Sequence, residues 1–296
     1  MEEKNIVNDS MQYKKRSQFK SVVKRFVKNK TAMIGLFVFL AVLCICIFSG
    51  LYMDYNNNAI HQDLMVRFQG PSAEHWFGTD QYGRDLFARV IFGGRTSLVT
   101  AMVVIFVATM LGSLFGSLAG YYGGMTDMVI MRIADVFYSI PYTLMAVCIV
   151  SSLGGGMVNL AIACIVAVTP ANIRLFRSWV MPLKNQDYID AAKAYGTKNR
   201  RILTKHIIPN TLGPIVVQAT LQMAITIIEV AGLSYIGLGV QAPAPEWGAM
   251  LSEARQYMRD YPYLVLFPGC AILISTLALN LVGDGFRDAL DPKLKN

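Results

Sequence analysis

Long apolar runs, separated by polar and basic segments, dominate this 296-residue chain. A helix needs about 20 mostly apolar residues to cross the ~30 Å hydrocarbon core of a bilayer, and six stretches come near that length. They are Ala32 to Met53, Ser97 to Tyr121, Met128 to Leu153, Met157 to Val180, Thr211 to Val240 and Tyr261 to Val282. The pattern predicts an all-α polytopic membrane protein with six transmembrane helices and both termini on one side.

The fourth stretch is unusual because only its first 12 residues, Met157 to Val168, are uninterrupted. Such a run rises about 18 Å, too little to cross, so the helix has to continue past Pro170 and Asn172. A broken helix is tolerated at membrane depth where it lines a cavity. Pro170 and Asn172 are therefore candidates for a translocation pathway, and the alternative is an ordinary proline kink.

Composition agrees with the membrane class, since 54% of residues are hydrophobic and only 16% are charged. A net charge of +8 is compatible with nucleic-acid binding, but the lysines and arginines are grouped at the ends of the apolar runs. With six spans, 21 of them lie on the side of the termini and six on the other. Cytoplasmic segments carry the excess of Lys and Arg, so we expect both termini in the cytoplasm.

This topology divides the chain into five parts. They are a basic cytoplasmic tail (1–31), the first transmembrane helix (32–53), an extracytoplasmic loop (54–96), a five-helix core (97–284) with a cytoplasmic loop at 184–210, and a cytoplasmic C-terminal tail (285–296). The end of the extracytoplasmic loop, Asp85 to Arg95, is amphipathic and is predicted to lie along the membrane interface.

No catalytic or metal-binding motif is found in the sequence. The three histidines and five cysteines show no zinc spacing, and no serine lies in a nucleophile elbow. Gly78 to Gly83 has the glycine spacing of a phosphate loop, but Arg84 and Asp85 follow where Lys and Ser or Thr are required. If the protein serves an energy-driven process, the ATP chemistry belongs to a partner.

Glu229, Arg132 and Asp135 are charged residues inside the fifth and third predicted spans. Glu229 lies ~27 Å along the fifth helix, near its outer end, where it is either a gate or pathway group or half of a structural pair. Arg132 and Asp135 are three residues apart on one helical face, so we expect them to pair with each other.

Three glycines form a ridge on the second span. Gly112, Gly116 and Gly120 recur every four residues, a spacing that lets another helix backbone approach closely. Either general helix packing or a specific subunit contact accounts for this pattern, and both bury the span in protein.

The polar stretch from Asp187 to Pro209 separates the fourth and fifth spans. Ile189, Ala192 and Tyr195 have the spacing of one stripe on a short helix, and Gly196 is predicted to end that helix. The following Lys198 to His206 is strongly cationic. A loop on anionic lipid headgroups is one interpretation; a short helix that docks into a groove on another protein is the other, and it also explains the small alanines.

These residues resemble a known motif. Asp190-Ala191-Ala192, then Gly196, then Ile207-Ile208-Pro209 is similar to the EAA loop of ABC importer permeases, which seats in a cleft of an ATPase subunit, with Asp in place of the usual Glu and Ile208 in place of Leu.

Three further stretches are similar to the C-type permease subunit of the oligopeptide, dipeptide and nickel branch. They are Phe77-Gly78-Thr79-Asp80 with Gly83-Arg84-Asp85 and Gly93 to Leu98; Leu233 to Gln241 with Trp247-Gly248; and Gly283-Asp284 with Arg287-Asp288 and Asp291-Pro292. The resemblance covers the chain from about Trp76 to Pro292 and implies a type I ABC importer permease fold.

The resemblance also implies partners and residue roles. The partners are a homologous B-type permease, two ATPase subunits that hold ATP and Mg, and an extracytoplasmic solute-binding protein, all at a bacterial cytoplasmic membrane; this chain itself is expected to bind no cofactor. The implied ATPase-coupling residues are Tyr188, Ile189, Asp190, Ala191, Ala192, Tyr195, Gly196 and Pro209. Pathway or gate residues would be Pro170, Asn172, Glu229 and Ser234, and binding-protein docking residues Gly237, Gly239 and Trp247.

Short peptides are the expected substrate. Import of nickel or another small solute is the alternative within ABC transport, because the same signatures serve that substrate class. A secondary transporter or a membrane scaffold is the alternative from a different class.

Overall fold

The computed structural model describes residues 18–290, so most of the basic tail and residues 291–296 lie outside the described range. The α-helices are α1 (Gln18–Lys28), α2 (Lys30–Ile47), α3 (Leu86–Tyr122), α4 (Gly124–Tyr138), α5 (Tyr142–Leu153), α6 (Met157–Leu183), α7 (Asp187–Ala194), α8 (Asn199–Ile202), α9 (Ile208–Tyr235), α10 (Trp247–Ala254) and α11 (Tyr263–Leu290). Shorter 3-10 or π turns cover Phe48–Leu51, Tyr55–Ile60, Leu64–Val66, Leu203–Ile207 and Arg255–Tyr257. Across this range, the only β-type pairing is an isolated bridge between Thr79 and Asp85.

Five segments are long and apolar enough to cross a membrane, and α4 with α5 forms a sixth, bent by 85°. The all-α prediction is therefore confirmed, and the predicted count of six spans is reached with the bent pair as the third span. The bend follows from Pro141, which has no N–H to donate and disfavours helical geometry at the residue before it. Helix α4 ends at Tyr138, and Pro141 is extended (φ −54°, ψ 135°).

Two local predictions differ from the structure. Asp85 to Arg95 is not a separate interfacial segment, because Asp85 caps α3 by accepting a hydrogen bond from the Ala88 amide (2.8 Å) and the helix runs unbroken to Tyr122. Helix α6 continues past Pro170, as expected, but is not broken there. Helix α3 is 37 residues long, about 55 Å at 1.5 Å per residue, so it extends beyond the hydrocarbon core.

The glycine ridge of α3 packs against α6 of the same chain. A Cβ atom at Gly112 would lie 2.5 Å from the Asn172 Cβ, and one at Gly116 would lie 2.6 Å from the Ile173 carbonyl oxygen. At Gly120 it would lie 2.9 Å from the Val180 Cβ. These separations are far below van der Waals contact, so only glycine allows the two backbones to approach this closely.

The remaining long helices pack beside this pair. Helices α2, α9 and α11 share an apolar core with α3, in which Phe39, Leu98, Ile227 and Leu279 are buried. The bundle has two ends. We call the end that carries α7 the loop end; the other, formed by residues 48–85 and 236–262, is the opposite end.

Buried ion pairs hold the opposite end together. Arg84 and Arg89 are each 1% exposed, and the Arg84 guanidinium contacts Asp80 and Glu253, each at 2.6 Å. Arg89 lies 3.4 Å from the same two carboxylates. Two cations and two anions thus connect residues 80–84 and α3 to α10, which neutralises charges that would be costly to bury alone.

We predict that Gly116→Ala destabilises the folded chain by roughly 1–3 kcal/mol, because the added methyl group overpacks the contact with α6. Gly269→Ala is the matched control, since a Cβ at that helical glycine meets no atom within 4 Å. Thermal unfolding in mild detergent should show a lower Tm for the first variant and an unchanged or higher Tm for the second. Equal Tm values for the two would contradict the close packing.

Candidate functional site: the 187–209 loop and the polar residues of the bundle

Helix α7 rests on an apolar base made by its own chain. Ile189 is completely buried among Val180, Ile202 and Ile207, and Ala192 packs at the edge of this cluster. Two members of the predicted stripe, Ile189 and Ala192, share one helix face, and that face contacts the bundle of the same chain; the third, Tyr195, lies on the exposed face, so its place in the stripe is wrong. The expectation that Ile189 packs in a groove of a partner is therefore wrong.

The other face of α7 is exposed. Tyr195 is 91% exposed and Tyr188 42%, and Asp190 and Ala191 are also exposed. The Asp190 carboxylate lies 2.9 Å from the Lys193 ammonium one turn later, which stabilises an exposed helix only slightly. The loop end thus presents a small exposed surface from which one aromatic side chain, that of Tyr195, protrudes.

Gly196 ends the helix, as its sequence position predicts. It has φ +73°, a left-handed conformation that favours glycine. Its N–H donates to the Lys193 carbonyl (2.9 Å), and the Thr197 N–H donates to the Ala192 carbonyl (3.0 Å). This pair of bonds is the Schellman arrangement, and it fixes the direction in which the chain leaves α7.

The second half of the loop returns the chain to the bundle. Its apolar side chains, Ile202, Leu203 and Ile207, are buried beneath α7, whereas its cationic side chains are mostly exposed. The Tyr121 hydroxyl at the end of α3 donates to the Asn199 side-chain oxygen (2.8 Å). Pro209 is exposed in the first turn of α9.

Two ion pairs join α4 to α6 near the loop end. Arg177 binds Asp127 with two nitrogen atoms, at 2.5 and 2.6 Å, and Arg174 binds Asp135 at 2.5 Å. The predicted pairing of Arg132 with Asp135 is therefore wrong. Asp135 projects toward α6, and spacing along one helix did not reveal that neighbour.

The two candidates on α6 lie inside protein contacts. Asn172 is 4% exposed and packs against Gly112, so it belongs to the α3–α6 contact and does not line an open pathway in this chain. Pro170 lines an apolar cavity of about 320 Å³ between α3, α4 and α6, together with Ile130 and Phe137.

Glu229 lies in a polar cluster at membrane depth. It is half-buried on α9, near the Tyr142 hydroxyl of α5, which is also close to the Cys164 thiol of α6. Within residues 18–290, the Oε2 atom of Glu229 meets no donor with hydrogen-bond geometry. Three helices therefore bring polar groups together here without fully satisfying them.

The candidates for docking at the opposite end are mostly buried. Trp247 is 1% exposed, and its indole Nε1 donates to the Val90 carbonyl (2.8 Å). Gly239 is also buried, packed against the 2% exposed Ser234, whereas Gly237 is exposed. Trp247 and Gly239 hold the structure together and offer no surface to a partner, so their assignment to docking is corrected.

Sequence reasoning missed the role of Glu246. This fully buried carboxylate accepts hydrogen bonds from the Ser97 hydroxyl (2.7 Å) and the Ala249 amide (2.9 Å), and so caps α10. Burial raises the pKa of the Glu246 carboxyl above its ordinary value, and these hydrogen bonds oppose that shift. Glu is not among the residue types favoured at helix N-caps, so no clear signal for this role was present in the sequence.

The chain matches known families over most of its length. Residues 112–296 match the family described as "Binding-protein-dependent transport system inner membrane component", and residues 17–71 match the "N-terminal TM domain of oligopeptide transport permease C". The chain belongs to the binding-protein-dependent transport permeases. It is thus a multi-pass membrane component of a transport system, in a family of permeases and not of enzymes.

Named relatives are similar over nearly the whole chain. The dipeptide transport system permease protein DppC of Alkalihalophilus pseudofirmus is 45% identical over 96% of this chain and 93% of its own length. The glutathione transport system permease protein GsiD of Escherichia coli O157:H7 is 42% identical over 92% and 89%.

The fold is also found in solved structures. Chains from two inward-facing crystal forms of the MetNI methionine ABC transporter align with TM-scores of 0.55 and 0.57 at 17% identity. They cover 69% and 70% of this chain and nearly all of their own length. This likeness shows the type I ABC importer permease fold.

We predict that Trp247→Ala destabilises the fold by about 3–5 kcal/mol, the usual cost of truncating a buried aromatic side chain. Thermal unfolding in detergent would show a markedly lower Tm. Trp76→Ala is the control because Trp76 is 64% exposed at the same end, and its Tm should stay near that of the unmodified chain. A normal Tm for the Trp247 variant would return this residue to a surface role.

Proposed function

We propose that this chain is one of two permease subunits of an ATP-driven importer of short peptides. The observation that carries the proposal is the exposed face of α7, rigidly supported at the loop end, in a chain of the binding-protein-dependent permease family. Asp190, Ala191, Tyr188 and Tyr195 form the contact with an ATPase subunit, and Gly196 fixes its orientation.

The proposed partners supply what this sequence lacks. No phosphate loop is present, so ATP and Mg bind to two ATPase subunits that contact the loop end. A homologous B-type permease completes the translocation pathway, and a solute-binding protein delivers substrate at the opposite end. The excess of Lys and Arg supports a bacterial cytoplasmic membrane with the loop end and both termini in the cytoplasm.

Movement of α7 would reach the bundle through direct contacts. Ile189 packs on Val180 of α6, and Val180 in turn contacts Gly120 of α3. The hydrogen bond between Tyr121 and Asn199 adds a second connection between α3 and the loop. ATP binding that draws the two loop ends together would therefore displace α6 and α3 and open the permease pair outward.

Glu229 and Ser234 are the remaining pathway candidates. The Glu229 carboxylate belongs to an incompletely satisfied polar cluster, as expected where an intramembrane acid faces a pathway or a partner subunit. Ser234 lies just beyond it on α9, where its buried hydroxyl oxygen meets no hydrogen-bond partner among residues 18–290. We assign Glu229 to the pathway; Ser234 is 2% exposed and packed against Gly239, so it does not line an open pathway in this chain and its assignment is corrected.

Short peptides are the substrate class that the relatives favour. The two named permeases serve dipeptide and glutathione transport, and glutathione is itself a tripeptide. We therefore propose di- or tripeptide-sized cargo. Deletion of the gene should abolish uptake of labelled short peptides and leave uptake of labelled nickel unchanged; the reverse pattern would favour nickel import.

We predict that Tyr195→Ala lowers ATPase co-purification roughly 10-fold, as loss of an interface hot spot does, and lowers peptide uptake in parallel. Its Tm should change little, because surface substitutions usually alter stability by less than about 0.5 kcal/mol. Tyr52→Ala removes a tyrosine that is 52% exposed at the opposite end and should leave ATPase binding intact. Normal ATPase binding and uptake in the Tyr195 variant would overturn the assignment.

A second substitution tests the helix end. Proline in the Gly196→Pro variant cannot adopt φ +73° and has no N–H to donate to the Lys193 carbonyl. We therefore expect the end of α7 to lose its defined geometry and the ATPase to dissociate from the assembly. If this variant retains both ATPase association and peptide uptake, the loop is not the coupling element. Uptake driven by an ion gradient without ATP would instead indicate a secondary transporter.

A further inference from the structure

Helix α1 makes up most of the described part of the basic tail, and the proposed coupling and pathway roles do not use it. Val22 and Phe26, four residues apart, pack against the end of α11, where the Phe26 and Phe286 rings stack with centroids 4.3 Å apart. Phe26 is only 5% exposed. This contact attaches α1 to the loop end of the bundle.

Helix α1 does not continue into the first transmembrane helix. Asn29 is extended (φ −79°, ψ 104°), and its Oδ1 accepts hydrogen bonds from the Thr31 hydroxyl (2.7 Å) and the Ala32 amide (3.2 Å), which caps α2. Its Nδ2 donates to Asp288 near the end of α11 (3.4 Å). The chain therefore leaves helical geometry directly before the first candidate membrane span, which begins at Lys30.

The face of α1 that does not touch the bundle has two parts. Val23 and Val27 are 43% and 56% exposed, and at 100° per residue they lie beside the packed face. Lys24 and Lys28 follow them around the helix and are exposed. An apolar strip with lysines along its outer side, next to the start of a transmembrane helix, is typical of a helix in the membrane interface.

We propose that α1 is a binding surface for anionic lipid. Val23 and Val27 enter the acyl-chain region, and the ammonium groups of Lys24, Lys28 and the neighbouring Lys30 bind headgroup phosphates. The ion pairs formed among residues 18–290 use none of these lysines. Their positive charge selects anionic over zwitterionic lipid, and each lysine contributes roughly fivefold in affinity.

This inference concerns the membrane contact and does not depend on the substrate. The test uses the full chain, with the subunits that purify with it, in nanodiscs of phosphatidylcholine or of an equal mixture with phosphatidylglycerol. Amide hydrogen exchange over residues 22–28 should be slower in the anionic discs. Lys24→Gln with Lys28→Gln should remove most of that difference, roughly 25-fold in lipid affinity, and the corresponding Lys→Arg pair should retain it.

Two controls separate this site from general charge effects. Arg255→Gln with Arg259→Gln removes two exposed cations at the opposite end and should leave the protection of α1 unchanged. Phe26→Ala keeps the lysines but removes the stacking on Phe286, so protection should fall. Unchanged protection in the Lys→Gln pair would overturn the proposal.

Two further outcomes would also overturn it. Equal protection by soluble glycerol phosphate in phosphatidylcholine discs would show a site for a free phosphate compound. Loss of an ATPase subunit from the Lys→Gln pair, with the lipid response intact, would show a protein contact instead.

Discussion

The close approach of α3 and α6 is the contact on which the rest of the bundle depends. Gly112, Gly116 and Gly120 allow the backbones of α3 and α6 to come into contact along about two turns of helix. A side chain at any of these positions would push the two helices apart. The same helix α6 continues to Val180, which lies under Ile189 of the loop. The geometry of the loop is thus set by the absence of side chains at three positions far from it in sequence.

A different interaction secures the other end of α3. Asp80 and Glu253 neutralise Arg84 and Arg89 in a setting where the arginines are almost fully buried. Removing one partner of such a network leaves an uncompensated charge, which costs several kcal/mol. Helix α3 is therefore held by close backbone packing along its middle and by electrostatics at its start.

The lengths of the apolar runs were sufficient to predict a polytopic membrane protein and its candidate spans, because the thickness of the bilayer sets the length of a spanning helix. The position of Gly196 was sufficient to predict the end of α7, because glycine readily adopts the left-handed conformation that ends a helix. Neither feature could identify the neighbours. A stripe such as Ile189 and Ala192 shows that a face is buried but not which molecule covers it, and Trp247 raised the same ambiguity. The pairing of Asp135 with Arg174 depends on the bent α4–α5 pair, which the sequence pattern did not reveal.

Helix α7 has only eight residues, far fewer than an isolated helix needs to be stable in water. It is formed because Ile189 is buried beneath it and because two hydrogen bonds close its end around Gly196. Its exposed face is consequently ordered before any partner arrives, and association does not have to supply the free energy of folding it. Substitutions on the exposed face should therefore act on partner affinity, whereas those beneath it act on stability first. The proposed coupling role and the folding of this loop can therefore be tested separately, because α7 has one exposed face and one buried face.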